Sequence, residues 1–277
     1  GLRRLTRHEL SGAAAVLTLG PDMARRCRAH TADDASVEWV PLWAPDALYS
    51  VDDAVGAALR RARGWRDELV LMYSGNLGLG HRFEEFLTAA SELAAGHDEP
   101  GAAGGGERQS AEPRSADHGR RAAVRFVFAG GGQRRSEVEA FARTHPEAAI
   151  EVLDYASYGD LPAHLGSADV LLASQEPAWV GCMVPSKVQG MLAAGRPVIF
   201  VGAGDSSAAQ WISEADAGWV VRTGDRDGLR AAVAAARDPA ERQRRGAAAR
   251  SYARVHFDRQ RNCERIAALV EAAGGGR

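Results

Sequence analysis

The segment Leu69-Val70-Leu71-Met72-Tyr73-Ser74 runs directly into Gly75-Asn76-Leu77-Gly78-Leu79-Gly80. A pattern with Phe83, Phe86, Leu87, Ala90 and Leu93 on one helical face follows it. An apolar run without polar alternation predicts a strand buried on both faces, and the glycines predict a tight strand-to-helix turn. The same unit recurs downstream. Val124 to Ala129 is a strand closed by Gly130-Gly131-Gly132, with a helix over Ser136 to Arg143. Ile150 to Leu153, Ala168 to Ala173, Pro197 to Val201 and Gly218 to Val221 read as further strands. Between them lie a short helix or turn at Tyr158 to Leu165 and helices at Ser186 to Ala194 and Ser207 to Ala215. The chain then reads as helical over Asp227 to Arg237 and Pro239 to Val270. This alternation predicts an α/β fold: a Rossmann-like parallel sheet with helices on both faces and right-handed crossovers.

Upstream, Ala13 to Leu19 and Val37 to Val40 read as two short strands flanking a helix near Met23 to His30. Two strands cannot bury their own faces. This region is therefore expected to be the trailing edge of a domain whose bulk is absent. Asp52 to Arg66 is read as a helix, with Val55, Ala58, Leu59 and Ala62 at helical spacing. Residues 100–120 contain three consecutive glycines and no hydrophobic side chain larger than alanine, and are expected to form a disordered insertion. The 277 residues carry 45% hydrophobic and 25% charged side chains and a formal net charge of −2, an ordinary composition for a soluble globular protein. That balance gives no reason to expect nucleic-acid binding, and no apolar run is long enough to span a bilayer. The three cysteines, Cys27, Cys182 and Cys263, are too scattered for a disulfide scaffold or a zinc site.

In an open parallel sheet, ligands bind outside the carboxyl ends of the strands. Three loops bring glycine or small polar residues to that edge: Gly75 to Gly78, Gly130 to Gly132 with Arg134 and Arg135 beyond, and Gly202 to Ser207. Each alone is adequately explained as a strand-to-helix turn. Together they favour a phosphate-bearing ligand held by backbone amides and helix N-termini. The spacing Gly75-x-x-Gly78-x-Gly80 is wrong for the dinucleotide fingerprint, and no phosphate-binding G-x-x-x-x-G-K-[ST] is present. The strongest single signal is Lys187. Of 34 basic residues it alone is lysine, and Pro185-Ser186 places it in the first turn of a helix. There an ammonium opposes the helix dipole at a cost of about 0.3–1 kcal/mol, which is understandable if it faces an anion. The alternative is a solvated lysine at a tolerant position.

In chain order, Tyr73-Ser74-Gly75-Asn76-Leu77-Gly78, Phe126-Val127-Phe128-Ala129-Gly130-Gly131-Gly132, Leu161-Pro162-x-x-Leu165-x-x-Ala168-Asp169-Val170, Pro185-Ser186-Lys187 and Gly195-Arg196-Pro197-Val198 resemble the GT-B glycosyltransferases. Within them the pattern is similar to family 4, in the exopolysaccharide-type branch with a Pro-Ser-Lys motif. The resemblance runs from about Glu68 to Val270. It implies three regions: residues 1–50 as a remnant of the acceptor domain with a linker, 51–260 as the donor-binding domain, and 250–273 as a helix returning toward the first domain.

What the resemblance implies for function is sugar transfer from a nucleoside-diphosphate sugar to a hydroxyl acceptor, which is a glycan, a lipid-linked molecule or a small molecule. Gly75, Asn76, Leu77 and Gly78 would lie against the diphosphate, and Gly130, Gly131, Gly132 and Arg134 near the nucleoside. Tyr155 and Ser157 would edge the base. Pro185, Ser186 and Lys187 would meet the ribose and diphosphate, with Lys187 stabilising charge on the leaving group without a metal. A cytoplasmic location is implied, and a lipid-linked acceptor would bring the protein to a membrane surface. The sequence departs from the family where many members carry Glu-x7-Glu, since Cys182 and Gly190 occupy those positions. The basic pair after the first glycine loop is reduced to His81 and Arg82. These departures favour an alternative, a non-catalytic nucleotide-sugar- or partner-binding module. An epimerase lacks placeable acid/base groups, and the failed fingerprint argues against an oxidoreductase. The remaining histidines, His8, His30, His97, His118, His145 and His164, are expected at the surface, as are Tyr252, His256 and Phe257.

Overall fold

A computed structural model of the protein describes residues 8–10, 12–31, 36–96 and 123–274. The insertion expected over 100–120 lies outside them. A small βαβ unit comes first: β1 (Ala15–Thr18) and β2 (Ser36–Trp39) pair in parallel across helix α1 (Pro21–Arg28). A 3₁₀ turn (Asp46–Ser50) and α2 (Asp53–Ala62) lead into the main sheet. Its strands are β3 (Leu69–Ser74), β4 (Val124–Ala129), β5 (Ile150–Leu153), β6 (Val170–Ser174), β7 (Val198–Val201) and β8 (Gly218–Val221). The helices are α3 (Glu84–Ala94), α4 (Arg135–Thr144), α5 (Leu161–Gly166), α6 (Lys187–Ala193), α7 (Ser207–Glu214), α8 (Arg226–Ala235), α9 (Pro239–His256) and α10 (Arg259–Gly274).

All five pairings of the six-stranded sheet are parallel, in the order β5-β4-β3-β6-β7-β8. The predicted fold class is the observed one. Successive strand residues feed opposite cores, as a period of two requires. Val70 and Met72 join Leu171, Ala173, Val198 and Phe200 on one face, beneath residues of α6, α7 and α9. Leu69, Leu71 and Tyr73 join Phe126, Phe128, Val170 and Leu172 on the other, beneath α3 and α8. Chain order turns back between β3 and β6, so the loops after these two strands diverge there. That is the switch point at which such sheets form a ligand crevice.

The helix expected over Pro239 to Val270 is two helices. At the end of α9 the Phe257 amide donates a hydrogen bond to the Ala253 carbonyl, and Asp258 accepts from the Arg261 amide to start α10. Asp258 is a helix-start signal that the alanine-rich run concealed. Phe257 is fully buried against Trp211, with ring centroids 5.2 Å apart, and not on a surface. Tyr252 is half-buried and donates to Glu214, whereas His256 is exposed. The helix expected to run from Asp52 to Arg66 stops at Ala62, because Gly64 takes φ 73° and the chain turns there.

The junction between α9 and α10 is held by Tyr49, whose hydroxyl lies 3.0 Å from the Phe257 carbonyl and 3.3 Å from that of Ala253. The phenol donates one proton shared between two helix-end carbonyls. Tyr49→Phe is expected to lower stability by about 0.5–1.5 kcal/mol, read as a modest fall in Tm by calorimetry with unchanged secondary structure.

The βαβ unit docks on the main sheet through Asp22, which is buried. Its carboxylate accepts from the Ser207 hydroxyl, the Met23 amide (2.7 Å) and the Gly181 amide (3.3 Å). From α10, Asn262 donates to the Pro41 carbonyl at 3.1 Å, and the Arg265 guanidinium sits 5.9 Å from the Trp39 ring centre. The last helix thus packs against Trp39 and Pro41.

Candidate functional site

A cleft of about 430 Å³ opens at the switch point, lined by Ser74, Asn76 and His81 after β3 and by Met183 to Lys187 before and into α6. Pro45, Leu48, Leu161, Leu165, Gly190 and Met191 complete it. None of these residues is acidic. Lys187 is the first residue of α6, as its motif predicted, and its side chain leans back over the β3 turn. Its ammonium donates to the Tyr73 hydroxyl, lies 3.8 Å from that ring's centre, and reaches the Asn76 carbonyl at 3.4 Å. The Tyr73 hydroxyl in turn donates to the Asn76 carbonyl at 2.8 Å. Among the described residues no carboxylate neutralises the ammonium. Burial pushes the Lys187 pKa down from the ordinary 10.5 to about 7.

Gly75 makes this approach feasible. Its φ of 137° suits glycine alone, and a Cβ there would stand 3.2 Å from the lysine nitrogen. The β3 turn and the β4 turn are also sewn to each other. The Leu77 amide donates to the Gly131 carbonyl at 2.7 Å, and the Arg134 amide to the Leu77 carbonyl at 2.9 Å. Leu77 is fully buried with both backbone polar groups paired, so it serves as an anchor for the loop. Gly78 packs against the Asn76 side-chain amide. Gly132 abuts Asn76 and the Leu77 carbonyl, and Gly130 abuts the Gly75 carbonyl.

The structure redirects several of the predicted polar side chains. Arg134 donates to the His81 carbonyl at 2.6 Å and pairs with Glu137 at 2.8 Å. Arg135 is shared among Glu139, Asp154 and the Gly130 carbonyl. Arg82 is held by Glu84, Glu85 and Glu176. These guanidiniums brace the rim. Tyr155 is 59% exposed, flanks Gly130 and Gly131, and donates to the Gly131 carbonyl at 3.1 Å. It offers an open aromatic face beside the β4 turn. The Ser157 hydroxyl donates to Asp160 at 2.6 Å and accepts from that residue's amide, a turn leading into α5. Pro185 is buried and Ser186 exposed, both on the cleft wall.

The third predicted loop, Gly202 to Ser207, does not reach the cleft. Ser207 donates to Asp22, and Asp205 pairs with Arg25 at 3.3 Å. Docking of the βαβ unit explains this loop.

Two buried histidines went unrecognised in the sequence. His164, expected at the surface, is 1% exposed. It belongs to the apolar face that Leu161 and Leu165 define, and the i, i+3 spacing from Leu161 was the available signal. Burial, then the nearby Arg63 charge, pushes its pKa down to about 4. His81 is likewise buried, donates through Nδ1 to the Ser174 carbonyl at 2.6 Å, and has its pKa pushed down to about 4 by burial and then by Lys187. Among the described residues no cluster of three or more His, Cys, Asp or Glu is placed to hold a metal ion, and no helix is long and apolar enough to cross a membrane.

No family model matches the sequence, and no curated protein does. Solved structures do resemble the fold. Sucrose-phosphate synthase from Thermosynechococcus elongatus superposes with a TM-score of 0.75 at 14% identity, over 99% of this chain and 62% of that one. Anabaena HepE, solved with UDP and glucose, gives 0.74 at 14% identity over 98% and 66%. WaaG, a glycosyltransferase of lipopolysaccharide biosynthesis, gives 0.67 at 16% identity over 91% and 61%. The chain thus spans somewhat under two thirds of the synthase's length. The six-stranded parallel sheet flanked by helices matches the GT-B fold of these solved structures.

Proposed function

We propose that the protein binds a nucleoside-diphosphate sugar in the switch-point cleft and supplies the donor half of a glycosyltransferase, of family 4 type with a Pro-Ser-Lys motif. The observation that carries this reading is the placement of the sole lysine. At the N-terminus of α6, Lys187 leans over the glycine of the β3 turn, and no carboxylate among the described residues neutralises it. An ammonium beside helix and turn amides is an arrangement suited to a diphosphate. HepE, with the same fold at 14% identity, was solved with UDP and with UDP-glucose, which makes uridine nucleotides the first ligands to try.

In the transfer, the bond between the sugar's anomeric carbon and the diphosphate oxygen breaks. A hydroxyl oxygen of a glycan, lipid-linked or small-molecule acceptor bonds to that carbon and releases its proton. Charge then collects on the departing diphosphate, where Lys187 and the amides of Asn76 and Gly78 stabilise it, with no resident metal in the scheme. Tyr155 and Ser157 edge the base, and Gly130 to Gly132 hold the β4 turn against the β3 turn beneath it. Residues 51–260 form the donor-binding unit in this scheme, and 250–273 turn back toward residues 1–50, a remnant of the acceptor domain. A second reading, a binding module without catalysis, is favoured by one observation: among the described residues, none that lines the cleft is an aspartate or glutamate.

Calorimetric titration with UDP, GDP and ADP tests the proposal, run beside hydrolysis of the matching sugar nucleotides with and without EDTA. One-site binding of one diphosphate is expected, and hydrolysis insensitive to EDTA if catalysis is intact. Binding without hydrolysis would select the second reading. Binding of none of the three would overturn both.

A further inference from the structure

A directed line of hydrogen bonds reaches the cleft from behind, through residues that the reading above does not use. Arg63 caps α2 at its C-terminal end, and its guanidinium stands 4.8 Å from the ring centre of the buried Trp65. It reaches Ser167 Oγ at 3.4 Å and His164 Nδ1 at 3.1 Å. A guanidinium can only donate, so Nδ1 of His164 is the acceptor and the ring carries its proton on Nε2. That Nε2 lies 3.2 Å from Ser74 Oγ. Ser74 therefore accepts from His164, and among the described residues no acceptor takes its own hydroxyl proton. Ser74 lines the cleft immediately before Gly75 and is half-buried there.

The geometry points to Ser74 as a further ligand-binding residue whose hydroxyl donates to a non-bridging oxygen of the bound diphosphate, with His164 and Arg63 as positioning residues that fix this direction. The inference rests on the donor-site reading and adds to it a neutral donor beside the ammonium of Lys187. A hydroxyl whose lone pair is already filled by an imidazole N–H is oriented before the ligand arrives, so little rotor freedom remains to be lost. The atom it meets must accept and carry no hydrogen. A diphosphate oxygen satisfies that, next to a glycine turn that brings backbone amides to the same place. The imidazole stays neutral at physiological pH because burial and Arg63 disfavour its charge, so the direction of the chain does not reverse there.

The test uses whichever of UDP, GDP and ADP binds the wild-type chain. Ser74→Ala is expected to weaken that diphosphate by about 10- to 100-fold, with a modest fall in unfolding temperature because the buried His164 Nε2–H loses its acceptor. Affinity for the corresponding nucleoside without phosphates, followed by NMR titration, is expected to stay the same, which a merely structural role would not produce. His164→Gln can still accept from Arg63 and donate to Ser74, and is expected to keep most of the affinity. His164→Phe can do neither and should lose part of the affinity, less than Ser74→Ala loses, because the serine hydroxyl itself remains. If His164→Phe does not fold, Ser74→Ala decides alone. Diphosphate binding by Ser74→Ala equal to wild type, with Lys187→Ala impaired, would overturn the inference and leave the donor-site reading standing. Binding of no diphosphate by the wild-type chain would overturn both.

Discussion

Affinity for a nucleoside-diphosphate sugar is expected to fall as pH rises from about 6 to about 9, and Lys187→Ala is expected to abolish that dependence together with most of the binding. The ammonium that would meet the diphosphate has its pKa pushed down to about 7 by burial, so near neutrality a large share of the free protein holds Lys187 uncharged. A bound diphosphate stabilises the charged form and raises that pKa. Binding then takes up about half a proton at pH 7, and above pH 7 affinity drops by up to tenfold per unit until the raised pKa is reached. The other titratable groups facing the ammonium do not confuse the reading. His81 titrates near 4, and burial drives the Tyr73 hydroxyl far above its ordinary value. Sugar nucleotides avoid the terminal-phosphate ionisation of the free diphosphate.

Truncating the lysine removes charged hydrogen bonds of about 2–3 kcal/mol, roughly 30- to 150-fold in Kd. Calorimetry in buffers of different ionisation enthalpy measures the proton uptake directly. A flat pH profile in the wild type, or uptake that survives Lys187→Ala, would remove Lys187 from the role. The unliganded protein gives a further sign check. Between about pH 7 and the ordinary 10.5, the unfolded lysine holds a proton that the folded one has lost. This group therefore makes the free protein gain stability as pH rises through that window, opposite in slope to ligand binding.

How far this site could be read in the sequence depended on whether the signal was local. Leu69 to Ser74 followed by Gly75 carries its strand and turn within twelve residues, and Pro185-Ser186-Lys187 carries its helix start within three. Both are where they were expected. What failed was knowing which partner each polar group would find across the sheet. Arg134 sits in a glycine-rich turn and invites a phosphate-binding role, yet it is consumed by the His81 carbonyl and Glu137. Gly202 to Ser207 looked like a third ligand loop until Asp22, 185 residues away from Ser207, occupied it. His164 lies in a segment too short for a clear amphipathic pattern, and its burial is fixed by Arg63 and Ser74, about 100 and 90 residues upstream. A lone histidine carries no mark of that in one dimension. Ser74 closes a strand, where a serine is common, and its meaning comes only from the imidazole behind it.

Gly130→Ala is expected to destabilise the protein by about 2–5 kcal/mol, as much as emptying a core position, although the residue contributes no side chain. Two effects add. The native φ of 136° lies where a Cβ is strained, at about 1–2 kcal/mol. A Cβ there also collides with the Gly75 carbonyl oxygen, which is backbone and cannot swing away, while on its other side stands the Tyr155 ring at 3.1 Å. Overpacking of this kind costs a further 1–3 kcal/mol or so. Relief requires separating the β3 and β4 turns, which breaks the alignment set by the Gly75 amide to Ala129 carbonyl bond (2.9 Å) and the Leu77 to Gly131 bond. The variant thus separates two explanations of the triple glycine. If these glycines serve chiefly to let a ligand approach, Gly130→Ala lowers nucleotide affinity with little change in Tm. If they serve chiefly to bring two turns into contact, thermal and urea unfolding report the loss in the unliganded protein, and any loss of affinity follows from the displaced Gly75. The close approach of Gly130 to the Gly75 carbonyl favours the second outcome. Gly131→Ala is the contrasting variant: its φ is not positive, and its Cβ would meet only the Tyr155 ring edge at 3.1 Å, a side chain with solvent beside it. It should cost far less, and equal destabilisation by both variants would show that the carbonyl of Gly75 is not what Gly130 is there to accommodate.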